Sequence, residues 1–257
     1  MTNLRVRDRQ GQVRLVGGVP YSDRRTTLSL LPGAAVGRWL ASHRSEVGGL
    51  LLDLGAGNQP YRPWYGSLAE WCAAVDVAPS PGLSALSLAT DVALRSSTFD
   101  TVVCTSVLEH VEDVESAVSE IVRLMKPGGR LLISVPFLYP THEAPFDFWR
   151  TTHYGLRSLL ERHGLVVEEV AAQGGPFLMA AHYVIQAGVQ ALSSASGRLG
   201  RWSWLLDNRV LTALIAWPQE WVRGLVGYRL TPLARIASLG YMACALRPGT
   251  TGDQRQA

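Results

Sequence analysis

Ten residues, Leu50-Leu-Leu-Asp-Leu-Gly-Ala-Gly-Asn-Gln59, constrain this chain more than any other stretch. Leu50, Leu51, Leu52 and Leu54 form an apolar run too short for a helix and too apolar for an exposed loop. Such a run reads as a central parallel strand. The strand carries Asp53 near its end and enters Gly55-Ala56-Gly57, where absent side chains let the backbone turn tightly and approach a ligand. If a helix follows, a turn of this kind presents backbone N–H groups to a nucleotide-like molecule.

The downstream order sharpens that reading. Trp71-Cys-Ala-Ala-Val-Asp76 is a second short strand closed by an acid, at the spacing of a ribose-binding acid in a dinucleotide-type fold. Thr90-Asp91-Val92 follows the alternating Leu83, Leu86 and Leu88 as a polar turn. Phe99-Asp100 through Val107-Leu-Glu-His110 is a fourth strand that breaks at Thr105 and Ser106, and Lys126-Pro-Gly-Gly129 leads into a fifth that ends at Pro136. Taken singly, Asp76 and Asp91 are equally well ordinary loop caps; the series is hard to obtain from an unrelated α/β chain.

On these residues the chain resembles the class I S-adenosylmethionine-dependent methyltransferases. It is most similar to the broad type 11-like group with a Leu-Glu-His segment after strand four. The resemblance extends over about residues 48–173 and departs at Gln59, where the family's loop often has a third glycine. It implies an α/β, Rossmann-like, doubly wound sheet of seven strands with the last antiparallel, and S-adenosylmethionine as cofactor. It further implies that Gly55 and Gly57 lie under the methionine moiety, with Asp53, Ala56 and Asn58 beside them. Asp76 and Val77 would serve the ribose, Asp91 and Val92 the adenine, and Thr105, Ser106 and Val107 the amino-acid end. A nicotinamide dehydrogenase shares the first strand and second-strand acid. Its third glycine would fall at Pro60, which brings a ring and removes a donor.

At 257 residues and 47% hydrophobic content, the chain can bury a sizeable core. A net charge of +3 does not demand nucleic acid. The basic excess is local, with Arg5, Arg7, Arg9, Arg14, Arg24 and Arg25 in segment 1–27, read as a solvated terminus, a lid, or a patch for an anionic substrate or membrane. Cys72, Cys104 and Cys244 lack Cys-x-x-Cys spacing, so neither a disulfide frame nor a zinc site is expected, and no metal is assigned. No signal peptide or spanning helix is evident, and a cytoplasmic protein is expected.

Residues 28–173 read as the cofactor-binding core. Helices are expected over 28–46, over 113–125 with Asp113 as N-cap and Gly128-Gly129 beyond its end, and over 152–163 stopping at Gly164. Strand six follows from Leu165, and strand seven is expected in segment 239–257, over Leu239–Leu246. Between them, residues 174–238 read as a helical insertion with Trp202, Trp204, Trp217 and Trp221 interleaved with Arg201, Arg209, Arg223 and Arg229. A cap on the core, a dimer interface and a helix resting on a membrane surface all fit that composition.

The segment leaving strand five holds Tyr139, His142, Asp147, Trp149 and Arg150, poor core material and good pocket material. Transfer of a methyl to a hydroxyl requires loss of a proton. His142 is the first candidate for base, His110 the second, and Asp147 the residue that orients a base or binds the acceptor. His153 reads as structural. Similar His-x-x-Pro-x-Asp-x-x-Arg-Thr segments occur in methyltransferases of glycan assembly, which implies a small-molecule or glycan acceptor. A non-catalytic cofactor-binding scaffold is the alternative.

Overall fold

A computed structural model describes residues 15–16, 19–20, 30–194, 234–235 and 237–249. Leu15–Val16 and Val19–Pro20 pair as a small antiparallel hairpin inside the basic N-terminal segment, where no strand was expected. The helix α1, Leu30–Ser42, leads through a 3₁₀ turn at Arg44–Glu46 into β1, Leu50–Leu54. After it come α2 (Arg62–Tyr65), β2 (Trp71–Asp76), β3 (Ala85–Leu86), β4 (Phe99–Thr105) and α3 (Val114–Leu124). Then follow β5 (Met125–Pro136), α4 (His153–Arg162), β6 (Val166–Ala172), α5 (Pro176–Ser194) and β7 (Gly240–Leu246).

The seven strands lie in the order β3-β2-β1-β4-β5-β7-β6, all parallel except β7, which runs antiparallel to both neighbours. This is the expected doubly wound sheet. Alternation along the central strands explains why it must be covered twice. Leu52, Leu54, Val102, Cys104, Leu131 and Ile133 face a core shared with Ile121 of α3 and Leu156 of α4. Leu51, Val103, Leu132 and Met242 face the opposite core with Val36, Trp39 and Leu40 of α1. Truncating Ile121 to Ala would cost about 2–5 kcal/mol through lost burial and the cavity left behind.

Asp113 caps α3 as expected, its side chain accepting from the Ser116 N–H at 3.0 Å. The expected glycine cap is corrected. Met125 already has an extended backbone, so the chain passes straight from helix into strand. Gly128, at φ +80°, and Gly129 instead lie within β5, opposite the irregular pairing between Phe99 and Thr101. There a Cβ on Gly129 would meet the Lys126 and Phe99 carbonyl oxygens. Thr152 caps α4 and Gly164 ends it at φ +79°. Cys104 and Cys244 are buried, whereas Cys72 is half-buried; all three are free thiols.

The α5 helix begins segment 174–238. Trp202, Trp204, Trp217 and Trp221 lie outside the described residues, as do most of segments 1–27 and 174–238. Among the described residues no helix is long and apolar enough to cross a membrane.

Candidate active site

The sheet order reverses between β1 and β4, and ligands of such sheets bind at the carboxyl ends of the strands beside that point. Asp53 and Gly55 lie there on β1 and its turn, and Thr105 through His110 lie there on β4 and its 3₁₀ turn, Leu108–His110.

The glycine loop is tied inward. Gly55 adopts φ +70°, and a Cβ on it would collide with the Val107 side chain that closes the loop from β4. The N–H groups of Gly55 and Ala56 both donate to the Val75 carbonyl, at 2.8 and 3.0 Å. The Gly57 N–H donates to Asp76 Oδ2 at 2.7 Å, and Ala78 N–H to its other oxygen at 2.9 Å. The expectation of freely offered amides is therefore corrected: at these positions the loop's donors hold the loop itself. The helix that follows is a single turn, Arg62–Tyr65, set off by Pro60 and Pro63.

Gln59, the departure from the family's glycine pattern, has φ +53°, the backbone a glycine would take. Its side chain donates to the Pro81 carbonyl at 3.0 Å and accepts from Arg62, which ties the β1 loop to the β2 loop. An open depression of about 590 Å³ borders this clamp at Asn58, Gln59, Arg62 and Pro81. Neither Asp76 nor either candidate histidine lines it.

Both strand-end acids are buried. Burial pushes the Asp53 carboxyl up to about 6, against a hydrogen bond from Tyr65 that favours its charged form, while the Asp76 charge pushes it up further. Asp76 is also raised by burial, opposed by the amides it accepts from. Asp91 is exposed with Val92 buried behind it, the Val92 N–H donating to Glu120 at 2.7 Å. Ser106 is exposed at φ +53° beside the half-buried Thr105 and Val107.

The second half of the site comes from the β4 turn and the loop after β5. The rings of His110 and His142 stand edge to face, 4.8 Å between centroids, and Tyr139 contacts His142 at 5.0 Å. His110 Nδ1 lies 2.6 Å from the Phe146 carbonyl oxygen. His142 Nδ1 lies 3.2 Å from the Pro140 carbonyl oxygen and 3.3 Å from Asp147 Oδ2, and the Asp147 carboxylate also accepts the His142 N–H at 2.9 Å. Arg150 donates to both oxygens of Asp147, which is held below the usual carboxylate range despite its burial. Burial, helped by His110, lowers the His142 imidazole, against the Asp147 charge and the Pro140 carbonyl.

Sequence reasoning missed two residues here. Glu109 is buried, 2% exposed, and neither carboxylate oxygen has a hydrogen-bond partner. Burial raises it to about 7. His182 of α5 is equally buried, stacks on Tyr139 at 5.0 Å, and is lowered by burial to about 4. Glu109 was visible in the Leu-Glu-His segment, but nothing in sequence showed its side chain turning inward. His153 sits at the start of α4 with its ring against Tyr154 and Tyr241.

Residues 52–133 match the family model described as a methyltransferase domain. A demethylmenaquinone methyltransferase from Streptomyces avermitilis is 33% identical over 136 residues, 52% of this chain and 47% of that protein. The chain thus spans about half the length of this curated relative. Among solved structures, an S-adenosylmethionine-dependent methyltransferase from Mesorhizobium loti matches at TM-score 0.51 and 17% identity, over 84% of this chain and 100% of that one. The [4+2]-cyclase SpnF matches at TM-score 0.53 and 16% identity, over 84% and 80%. A Burkholderia thailandensis 1,6-didemethyltoxoflavin-N1-methyltransferase, with its substrate and S-adenosylhomocysteine bound, matches at 0.50 and 14%, over 86% and 80%. At these identities the structures establish the fold.

Proposed function

We propose that this chain, which carries a class I S-adenosylmethionine-dependent methyltransferase domain, moves the cofactor's methyl group onto a hydroxyl of a small-molecule or glycan acceptor. The observation that carries the reading is the meeting of two unlike half-sites at one sheet edge. A glycine loop closed on Asp76 suits a nucleoside, and a cluster of histidines and carboxylates suits an acceptor that must lose a proton.

In this reading Asp53, Gly55, Ala56, Gly57 and Asn58 receive the methionine end, with Thr105, Ser106 and Val107 across from them. Asp76 and Val77 receive the ribose, and Asp91 with Val92 the adenine. The acceptor lies against His110 and His142, which activate it, while Asp147, locked by Arg150, fixes the His142 ring. Holding acceptor oxygen and methyl in line can supply up to about 7–11 kcal/mol of the barrier reduction. The cofactor, when bound, would supply the electrophilic methyl group.

The demethylmenaquinone and 1,6-didemethyltoxoflavin enzymes are named for different acceptors and SpnF for a [4+2] cyclisation, so the fold alone does not select the chemistry. A scaffold that binds cofactor without turnover is the competing reading. Titration of S-adenosylmethionine by calorimetry, paired with transfer of labelled methyl to extract metabolites, separates the two: binding with no labelled product favours the scaffold. The interface and membrane readings of segment 174–238 rest on its composition. Co-sedimentation with anionic liposomes, with Trp217 and Trp221 intact or changed to Ala, tests the membrane one.

A further inference from the structure

Glu109 is a buried group to which methyl transfer as described gives no task. An unpaired carboxylate in such surroundings is costly, and buried charges are ordinarily paired or ligated to a metal. His110 Nε2 lies 3.9 Å from Glu109 Oε1, and one donor atom each from Glu109, His110 and His142 lies within 4.8 Å of the other two.

The other nitrogens of the two rings are already engaged. The Phe146 carbonyl holds the proton on His110 Nδ1, and the Pro140 carbonyl with Asp147 holds it on His142 Nδ1. In the neutral rings this leaves Nε2 as the ligating nitrogen, the arrangement outer acceptors impose on histidines that ligate metals. The Phe148 N–H also donates to the Glu109 backbone carbonyl at 2.7 Å, which pins the loop carrying His142 to the turn carrying Glu109 and His110. Arg150 donates to both oxygens of Asp147, whereas neither oxygen of Glu109 accepts a hydrogen bond.

We propose that Glu109, His110 and His142 form a binding site for a divalent transition-metal cation, with its remaining positions open toward the acceptor. Two imidazoles and one carboxylate suit manganese, iron, cobalt or zinc, whereas magnesium and calcium prefer all-oxygen shells. Ligands about 2.1 Å from a shared ion lie roughly 3–4 Å apart, so the side chains close by about 1 Å on binding. The consequence for catalysis rests on the methyl-transfer reading. A hydroxyl bound to the cation is acidified and releases its proton to water; its oxygen pair then attacks the methyl carbon. The carbon–sulfur pair passes to sulfur, and the histidines act on the acceptor through the cation.

The test uses the full chain, stripped with chelator and titrated with Mn²⁺ by electron paramagnetic resonance and with Co²⁺ by visible absorption, without S-adenosylmethionine. One ion per chain is expected, with affinity weakened at least about tenfold in Glu109→Gln and His142→Ala, and about 10–100-fold in Asp147→Asn. Asp76→Asn should bind the ion like the unaltered chain. No stoichiometric binding of either ion or of Zn²⁺, or binding unchanged in both Glu109→Gln and His142→Ala, overturns the site. The near-isosteric Glu109→Gln guards against unfolding, checked by circular dichroism. The two proposals separate cleanly, because cation binding is read without cofactor and methyl transfer is read with it.

Discussion

The loop after β1 and the loop after β5 face the same edge of the sheet and are built on opposite principles. Around Gly55 and Gly57 the donors are consumed internally, on Val75 and Asp76, and each Asp76 oxygen already accepts one backbone amide. Around His142 the polar groups are oriented but not exhausted: neither Glu109 oxygen accepts a hydrogen bond, and the hydrogen bonds of both histidine rings are made at Nδ1. A closed network rigidifies a cradle for a ligand of fixed shape, whereas an open one keeps lone pairs in reserve for chemistry.

The largest break in that contrast should come from the open half. His142→Ala is expected to lower turnover by about 10²–10⁴ while S-adenosylmethionine affinity stays near normal. Steady-state kinetics paired with calorimetry reads this, and a loss confined to acceptor KM would recast His142 as a binding residue. In the closed half, Gly55→Ala should cost about 2–4 kcal/mol of stability, from the left-handed backbone and the collision with Val107. Chemical denaturation measures it. If Gly55→Ala unfolds like the unaltered chain, the β1 loop is looser than its contacts indicate.

Asp76→Ala should weaken cofactor binding by about 1–3 kcal/mol, through lost charge-assisted hydrogen bonds and a loosened Gly57. Unchanged calorimetric affinity would sink the ribose assignment.

The smallest effect is a pH dependence. Asp53 titrates at about 6 in the folded chain, above its unfolded value, so the folded state holds the extra proton in between. Its stabilising contribution is intact below the unfolded value and is lost as pH rises through about 6. Asp53→Asn should thus become steadily more stable relative to the unaltered chain from about pH 4 to about pH 7. The cationic cofactor would favour ionised Asp53, so its affinity should rise over the same interval and flatten in Asp53→Asn. Parallel curves for the two proteins would show that Asp53 does not titrate there.

The strands of the core were legible because each is a short run whose burial is written into adjacent residues: Leu50–Leu54, Trp71–Asp76 and Phe99–Thr105 need no distant partner to be recognised. Asp113 was legible as a cap for the same reason, its partner Ser116 being three residues away. Gly128-Gly129 misled because a glycine pair after a helix ordinarily signals a cap, and whether the backbone turns or continues as a strand depends on Phe99 across the sheet. The return of Asp76 to the Gly57 amide was equally hidden, since it joins residues on neighbouring strands.

By itself, then, the sequence determined the alternation of buried strands and covering helices, the glycine turn, and the presence of acids and histidines at strand ends. All follow from periodicity and from what glycine, proline and charged side chains permit locally. Tertiary structure alone decided which of those polar groups are used up and which stay available. That outcome depends on contacts such as Phe146 with His110, Asp147 with His142 and Val75 with Gly55. The burial of Glu109 without a hydrogen-bond donor is likewise set by how β4, β5 and their loops close on one another, because burial and hydrogen-bond satisfaction belong to the packed chain and not to any one segment of it.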